Sequence, residues 1–436
     1  MCNDNKEITV ETSLDLDKVY DLPEHIQIIQ YKDLHLAVYS QGILWIVLYN
    51  QKQCEIFCHL RRGKTIGFLL DHYSQDDVVS VLIQIEAKKF ETAIVRYDSE
   101  KNAYIYLTNN CNQRCRHCYM FAGERHIDEV PAEKWFSVLE ALVAAGYTGV
   151  TFTGGEITVY KDFDKVIQHA HNCGLSVTVL TNGILWNKKL INRLHTYIDE
   201  VQVSIDGYDA ESYMKVRQYD GFDKAVNCAK LFCENGNKVS IAVTPLFEDI
   251  EQFTEQFEPF ALQLLKEYPN LFIKVNHELI PGRKVKVTDA QNHYYRTRLK
   301  LMIERIYPNY YTETFVLNYQ DKANRTNCGF GGISIAPNGD VYWCNRIHEL
   351  TSNVNVFQTD MASILEMSEQ ITKSTSVDNT NGCKDCAIRY ICGGGCRMKY
   401  SGIQQAGEHL GPWEYHCDKK ESILEKMVLS NEFFFE

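Results

Sequence analysis

No apolar stretch of the chain approaches the roughly eighteen residues needed to cross a bilayer, so no membrane partner is expected. A basic balance is missing as well. Lys and Arg number 45 against 57 Asp and Glu, a net charge of −12, which argues against a general nucleic-acid binder. Met1 to Glu11 is polar and acidic, without the charged start and apolar run of a secretion signal. Disulfide use is therefore not expected, and the protein is read as cytoplasmic. Cysteine, by contrast, is abundant: sixteen in 436 residues. Clustered thiols in a reducing compartment point to metal, and the length suffices for two or three domains, each with its own core.

The first cluster is Cys111-x3-Cys115-x2-Cys118. It follows an apolar alternating run, Ala103 to Leu107, that reads as a strand ending in a polar loop. Iron–sulfur clusters are normally held by four thiolates, so three in one loop leave one iron of a four-iron cubane free to bind something else. The other reading is a structural zinc knuckle, which needs a fourth Cys or His; His117 is pinned between two of the thiols. From Ala103 onward, strands and helices alternate. Strands are predicted at Gly149–Thr153, Leu175–Leu180, Glu200–Ile205, Val239–Val243 and Leu271–Val275. Helices are predicted from Pro131, over Asp162–Cys173, around Leu190–Leu194, over Phe222–Cys233 and over Glu251–Lys266. Repeated βα units imply a parallel sheet whose right-handed crossovers curl it toward a barrel, with chemistry at the C-terminal strand ends. The cysteine loop, Gly154-Gly155-Glu156, Thr181-Asn182-Gly183 and Ser204-Ile205-Asp206-Gly207 all fall at those ends.

These two motifs, the cysteine loop after the first strand and Gly154-Gly155-Glu156 after the second, resemble radical S-adenosylmethionine (SAM) enzymes over about Tyr104 to Ile280. The fold class that follows is α/β: a partial (β/α)6 barrel over residues 98–308, flanked by a winged-helix-like α+β domain and a cysteine-rich C-terminal domain. The resemblance implies a [4Fe-4S] cluster on Cys111, Cys115 and Cys118 whose open iron is chelated by SAM. It further implies cleavage of SAM to a 5′-deoxyadenosyl radical, and an electron donor such as flavodoxin or ferredoxin. Gly154 and Gly155 would let backbone approach the SAM methionine moiety, with Glu156 accepting from its ammonium. Asn182, Ser204 and Asp206 fall where the family contacts SAM, and Tyr119 follows the third cysteine at an often aromatic place. Arg217 reads either as a partner of the SAM carboxylate or as a solvated helix residue. Ile157 departs from the proline common after the glutamate, and no catalytic acid or base can be named.

Residues 309–436 carry Cys328 and Cys344 around a predicted hairpin turn, Pro337-Asn338-Gly339-Asp340, then Cys383-x2-Cys386-x5-Cys392-x3-Cys396 and Cys417. The spacing is similar to the SPASM extension of radical SAM enzymes, which carries two auxiliary [4Fe-4S] clusters. The likeness implies Cys383, Cys386, Cys392 and Cys417 for a distal cluster, leaving Cys328, Cys344 and Cys396 for a proximal one. The fourth proximal ligand is then a substrate thiolate, a water or a residue other than Cys. Asn345 stands where sulfatase-maturing relatives place an aspartate base, and an amide takes up no proton at neutral pH.

Ahead of the barrel, residues 1–15 read as a polar tail. Residues 16–97 read as a hairpin, Leu36–Tyr39 with Leu44–Tyr49, followed by three helices capped by Asn50, Thr65 and Ser74. This pattern is similar to PqqD-like peptide-recognition elements, which imply that a leader peptide adds as a strand to a sheet edge. The alternative is a winged helix used for DNA or for packing. Taken together, the preferred reading is a radical SAM maturase of a ribosomally made precursor peptide, forming thioether or carbon–carbon crosslinks. A sulfatase-maturase-like oxidation of a protein or small molecule is second. A non-catalytic iron–sulfur or zinc module on DNA is the remote third.

Overall fold

A computed structural model describes residues 15–92, 101–123, 128–308, 310, 323–326, 328–347, 352–400, 413–414, 417 and 419–432. The polar tail up to residue 14 and the end of the first domain at 93–97 lie outside them.

The first domain has one more strand than the sequence pattern suggests. Strands β1 (Gln27–Tyr31), β2 (Leu34–Tyr39) and β3 (Leu44–Leu48) form an antiparallel sheet in that order. β1 reads QIIQY, two adjacent isoleucines between glutamines, and so lacks the alternation that marks a strand. Helices α1 (Gln51–Leu60), α2 (Ile66–His72) and α3 (Gln75–Ala87) follow. Their caps are those expected: Asn50, Thr65 and Ser74 accept from the amides of Gln53, Phe68 and Asp77.

Both faces of this small sheet are covered. Ala37, Ile46 and Leu48 pack on the helices with Val78, Val81, Leu82 and Ile85. Tyr31, Leu36, Val38 and Trp45 pack on Val377, Ile388, Ile391, Leu424 and Met427 of the C-terminal region. The outer edge of β3 is closed too. The Gln84 side chain donates to Val47 O and accepts from Val47 N, both at 2.8 Å. Lys88 Nζ donates to Trp45 O at 2.7 Å and to Asn431 Oδ1. Asn431 belongs to the helix Lys420–Glu432 and bonds Gln84 in turn at 2.9 Å.

The middle domain is the expected run of parallel strands: β4 (Asn102–Thr108), β5 (Gly149–Gly154), β6 (Ser176–Thr181), β7 (Glu200–Ser204), β8 (Lys238–Val243) and β9 (Leu271–Val275), in sequential order. Helices α4 (Ala132–Ala144), α5 (Phe163–Asn172), α6 (Lys188–Leu194), α7 (Ala210–Arg217), α8 (Phe222–Glu234), α9 (Ile250–Glu267) and α10 (Asp289–Ile306) cover it. Each crossover buries a stripe, such as Trp135, Val138, Leu139 and Leu142 of α4. α7 and α10 are not anticipated by periodicity. Both are fixed at their starts by capping boxes, Asp209 with Ser212 and Thr288 with Gln291.

The C-terminal region extends the same sheet. β10 (Ser334–Ile335) runs parallel to β4, and β11 (Val341–Tyr342) pairs antiparallel to β10 through the predicted turn. Gly339 takes φ +90° there, with its amide on Ala336 O. This carries Cys344 to the β4 side of the barrel, where Tyr106 donates to Asn345 O at 2.5 Å.

Burial pushes the Lys88 ammonium down to about 7. Between that value and the ordinary lysine range the unfolded chain binds a proton that the folded chain does not, so stability rises with pH across that window. The melting temperature of the wild type is expected to rise relative to Lys88→Met from pH 7 upward through this range. A constant gap between the two proteins would show that Lys88 stays charged in the fold.

Candidate active site at the strand ends

The ends of β4 and β5 are in backbone contact. Gly155 N donates to Thr108 O at 2.8 Å, and Glu156 N donates to Asn110 O at 2.9 Å. Gly154 sits at φ +154°, and a Cβ on Gly155 would overlap Asn110 O. The two glycines are therefore demanded first by the cysteine loop that packs against them. Glu156 is buried, and its carboxylate accepts from Thr158 Oγ1 at 2.7 Å, Thr181 Oγ1 at 2.6 Å and the Asn182 amide at 2.7 Å. Burial raises this carboxyl, and those bonds oppose the rise. A carboxylate offers about four acceptor sites; two of the bonds here tie β5 to β6, and the others stay local, from Thr158.

Cys111, Cys115 and Cys118 lie within one another's electrostatic reach. Burial foremost, then Glu156 and the neighbouring thiols, pushes Cys111 up to about 11. The loop is braced from three sides. Arg116 N donates to Val216 O of α7 at 2.9 Å, and Lys284 N and Arg283 N donate to Arg116 O and Cys118 O at 2.7 and 3.1 Å. The Arg283 guanidinium adds bonds to Cys115 O at 2.7 Å and Ala122 O at 2.8 Å. The stretch Gly282–Lys284 was not among the expected site residues; the Pro281-Gly282 turn signal is its only trace in the sequence.

Asp206 and Arg217 face each other rather than a shared opening. Arg217 Nε lies 2.5 Å from Asp206 Oδ2, His117 Nε2 lies 2.7 Å from the same oxygen, and the Thr244 amide donates to Oδ1 at 2.7 Å. Arg217 is buried, which corrects the reading of it as a solvated helix residue. Burial would raise the Asp206 carboxyl, but Arg217 and His117 hold it below the usual range. Asn182 donates to Asn112 Oδ1 at 2.7 Å, and Ser204 closes β7, half-buried, on the same rim. Tyr119 sits against Tyr106, and burial, with Cys118 and Cys344 near, raises its phenol.

The remaining thiols gather as three and four. Cys328 and Cys396 lie near Cys344, whose thiol burial pushes up to about 11. Cys392, Cys386 and Cys417 lie near Cys383, pushed up to about 11 chiefly by burial. Cys54, Cys228 and Cys233 are buried in the cores, Cys58 and Cys173 are half-buried, and none of the fifteen cysteines of the described residues is in a disulfide.

The family model of the radical SAM superfamily matches residues 105–257. Residues 105–257 form a radical SAM domain. Such a domain carries a [4Fe-4S] cluster and binds SAM. The three neighbouring thiols of Cys111, Cys115 and Cys118 are the donor set that such a cluster takes. The sporulation killing factor maturation protein SkfB of Bacillus subtilis is 33% identical over 158 residues, covering 36% of the chain and 38% of SkfB. The chain thus spans well under half of that relative. A PqqA peptide cyclase of Granulibacter bethesdensis is 26% identical over 316 residues, covering 67% of the chain and 81% of the cyclase. Among solved structures, Streptococcus suis SuiB shares the fold with a TM-score of 0.51 at 17% identity, covering 91% of the chain and 99% of SuiB.

Because a methyl on Gly155 strikes the backbone of the cysteine loop, Gly155→Ala is expected to keep the helical circular dichroism yet lose most of the SAM-responsive cluster signal. Unchanged iron content and SAM response in this variant would show that the loop can shift aside.

Proposed function

We propose that the chain is a radical SAM maturase that crosslinks a ribosomally made precursor peptide by net oxidation, as thioether or carbon–carbon bonds. One observation carries this. The first domain's sheet shares a core with the four-thiol set, Val38 and Trp45 lying in one cluster with Cys383 and Ile391, and among the described residues no strand pairs with the outer edge of β1. A peptide held there is tethered to the body that carries every gathered thiol. The names of the relatives, peptide cyclase and killing-factor maturation protein, are in keeping with it.

The open edge is β1. Antiparallel pairing alternates inward and outward backbone groups. The two-residue turn pairs Tyr31 with Leu34, so Ile28 and Gln30 point their amides and carbonyls away from β2. A row of such groups is satisfied by an extended chain. A cavity of about 300 Å³ at the start of β1, lined by His25, Gln27, Ser40 and Arg389, leaves room for side chains.

In this reading Cys111, Cys115 and Cys118 hold the SAM-binding cluster, while Cys383, Cys386, Cys392 and Cys417 hold the distal auxiliary cluster and Cys328, Cys344 and Cys396 the proximal one. When bound, the barrel cluster and SAM supply a hydrogen-abstracting radical, and an electron donor such as flavodoxin or ferredoxin primes it. The chain's own residues seat the loop, exclude water by burial of Glu156 and Asp206, and hold the peptide. Sulfatase-type oxidation is less favoured. Asn345 holds the place of the base, and a side-chain amide takes up no proton at neutral pH.

Anaerobic reconstitution is expected to load about twelve irons per chain, four for each cluster. Incubation with SAM, reductant and the peptide encoded beside the gene is expected to lower the peptide mass by two hydrogens per crosslink. A product of unchanged mass would overturn crosslinking. Gln30→Pro removes an outward amide that the sheet does not use, and is expected to weaken peptide binding while leaving SAM cleavage without peptide intact. Equal peptide affinity in this variant would place the peptide elsewhere.

A further inference from the structure

Asp206 is spent inside the fold. Its Oδ1 takes the Thr244 amide beyond β8, and its Oδ2 is shared between His117 of the cysteine loop and Arg217 at the end of α7. Three of the roughly four acceptor sites of that carboxylate are taken by the protein itself. Arg217, 8% exposed, is fixed by this pairing so that its Nη1 lies 3.6 Å from Cys115 Sγ, within the range of an N–H···S hydrogen bond. α7 reinforces the same approach through Val216 O on the Arg116 amide, one residue past Cys115. Tyr213, one turn earlier, meets Gln113 at 3.0 Å. A whole face of α7 is therefore aimed at the cluster-binding loop.

An ordered cation and an N–H···S bond at one ligand favour the more negatively charged, reduced state of an iron–sulfur cluster. We infer that Arg217 is a positioning residue for the cluster and not a clamp for the SAM carboxylate: oriented by Asp206, it donates to Cys115 Sγ and raises the cluster's reduction potential. The couple concerned is the one-electron reduction of [4Fe-4S]2+ to [4Fe-4S]1+, with the electron coming from an external donor. The inference rests on Cys111, Cys115 and Cys118 being the cluster ligands, and it is independent of what the peptide is. Lysine cannot replace arginine here, because the contact needs one nitrogen on the carboxylate and another on the sulfur of the same planar group.

The test is an EPR-monitored redox titration of the full-length reconstituted protein with dithionite, the barrel cluster being identified by its spectral change on adding SAM. SAM affinity is measured in parallel on the oxidised protein by equilibrium dialysis. Arg217→Gln is expected to move the midpoint to a more negative potential, so that several-fold less cluster is reduced at a fixed solution potential, with SAM affinity held. Arg217→Lys is expected to fall between the two, and it serves if the glutamine variant does not fold. An unmoved midpoint in either folded variant, or a large loss of SAM affinity with the midpoint held, overturns the inference and restores the carboxylate clamp. Failure of the wild type to bind the SAM-responsive cluster would instead overturn the ligand reading on which it rests.

Discussion

The strand-end rim depends on how closely the backbone of β5 approaches the loop that leaves β4. With Gly154 and Gly155 side-chain-free, the Gly155 and Glu156 amides reach Thr108 O and Asn110 O. That contact fixes where Cys111 emerges. Glu156 then passes the constraint along the sheet, because its carboxylate takes Thr181 Oγ1 and the Asn182 amide at the end of β6. Asn182 returns it to the loop through Asn112, and Asp206 repeats the device between β7, β8 and His117. A buried carboxylate with all these partners is stable only while every partner stays in place. The rim is thus one cross-linked unit, and small backbone shifts at the glycines reach every thiol in it.

Much of this was legible in the chain because parallel sheets put their polar punctuation at one end. Gly154-Gly155-Glu156, Thr181-Asn182 and Ser204–Asp206 were placed by periodicity alone, and the hairpin turn at Pro337–Asp340 by its turn residues. The partners of those residues were not legible. Arg217 and Asp206 are eleven positions apart with a capped helix between them, and a charged residue at a helix end reads equally well as solvated, as ligand-binding or as paired. Only the crossover geometry of α7 decides, by turning that end over Cys115. β1 was missed for a related reason. A strand covered on both faces, Ile28 toward the helices and Ile29 toward the C-terminal region, loses the alternation that signals a half-exposed one.

The double coverage of that sheet changes what its likeness to a peptide-recognition element implies. A three-stranded sheet has two edges, and here α3 and the last helix close one of them with Gln84, Lys88 and Asn431. Side-chain amides imitate a neighbouring strand at Val47, supplying both a donor and an acceptor. The domain is consequently part of the enzyme's body, sharing the core of Trp45, Leu424 and Met427, and its remaining freedom to pair lies at β1.

The shortage of thiols at the proximal set is built into packing. Between Cys328 and β10 the chain reads Gly329-Phe330-Gly331-Gly332-Ile333. Gly329 and Gly331 take φ +63° and +98°, where side chains other than glycine are strained, and a Cβ on Gly331 would overlap Thr372 Oγ1. Gly331 is further clamped by its amide on Trp343 O at 2.8 Å and its carbonyl on Ser368 Oγ at 2.6 Å. Phe330 and Ile333 are buried in the main core. At four of these five positions, then, a cysteine would either strain the backbone or empty the core, and Gly332 is itself confined by Gly329 O at 3.0 Å from where its Cβ would stand. In the proposed reading, the fourth ligand of a cluster on Cys328, Cys344 and Cys396 therefore comes from outside this stretch.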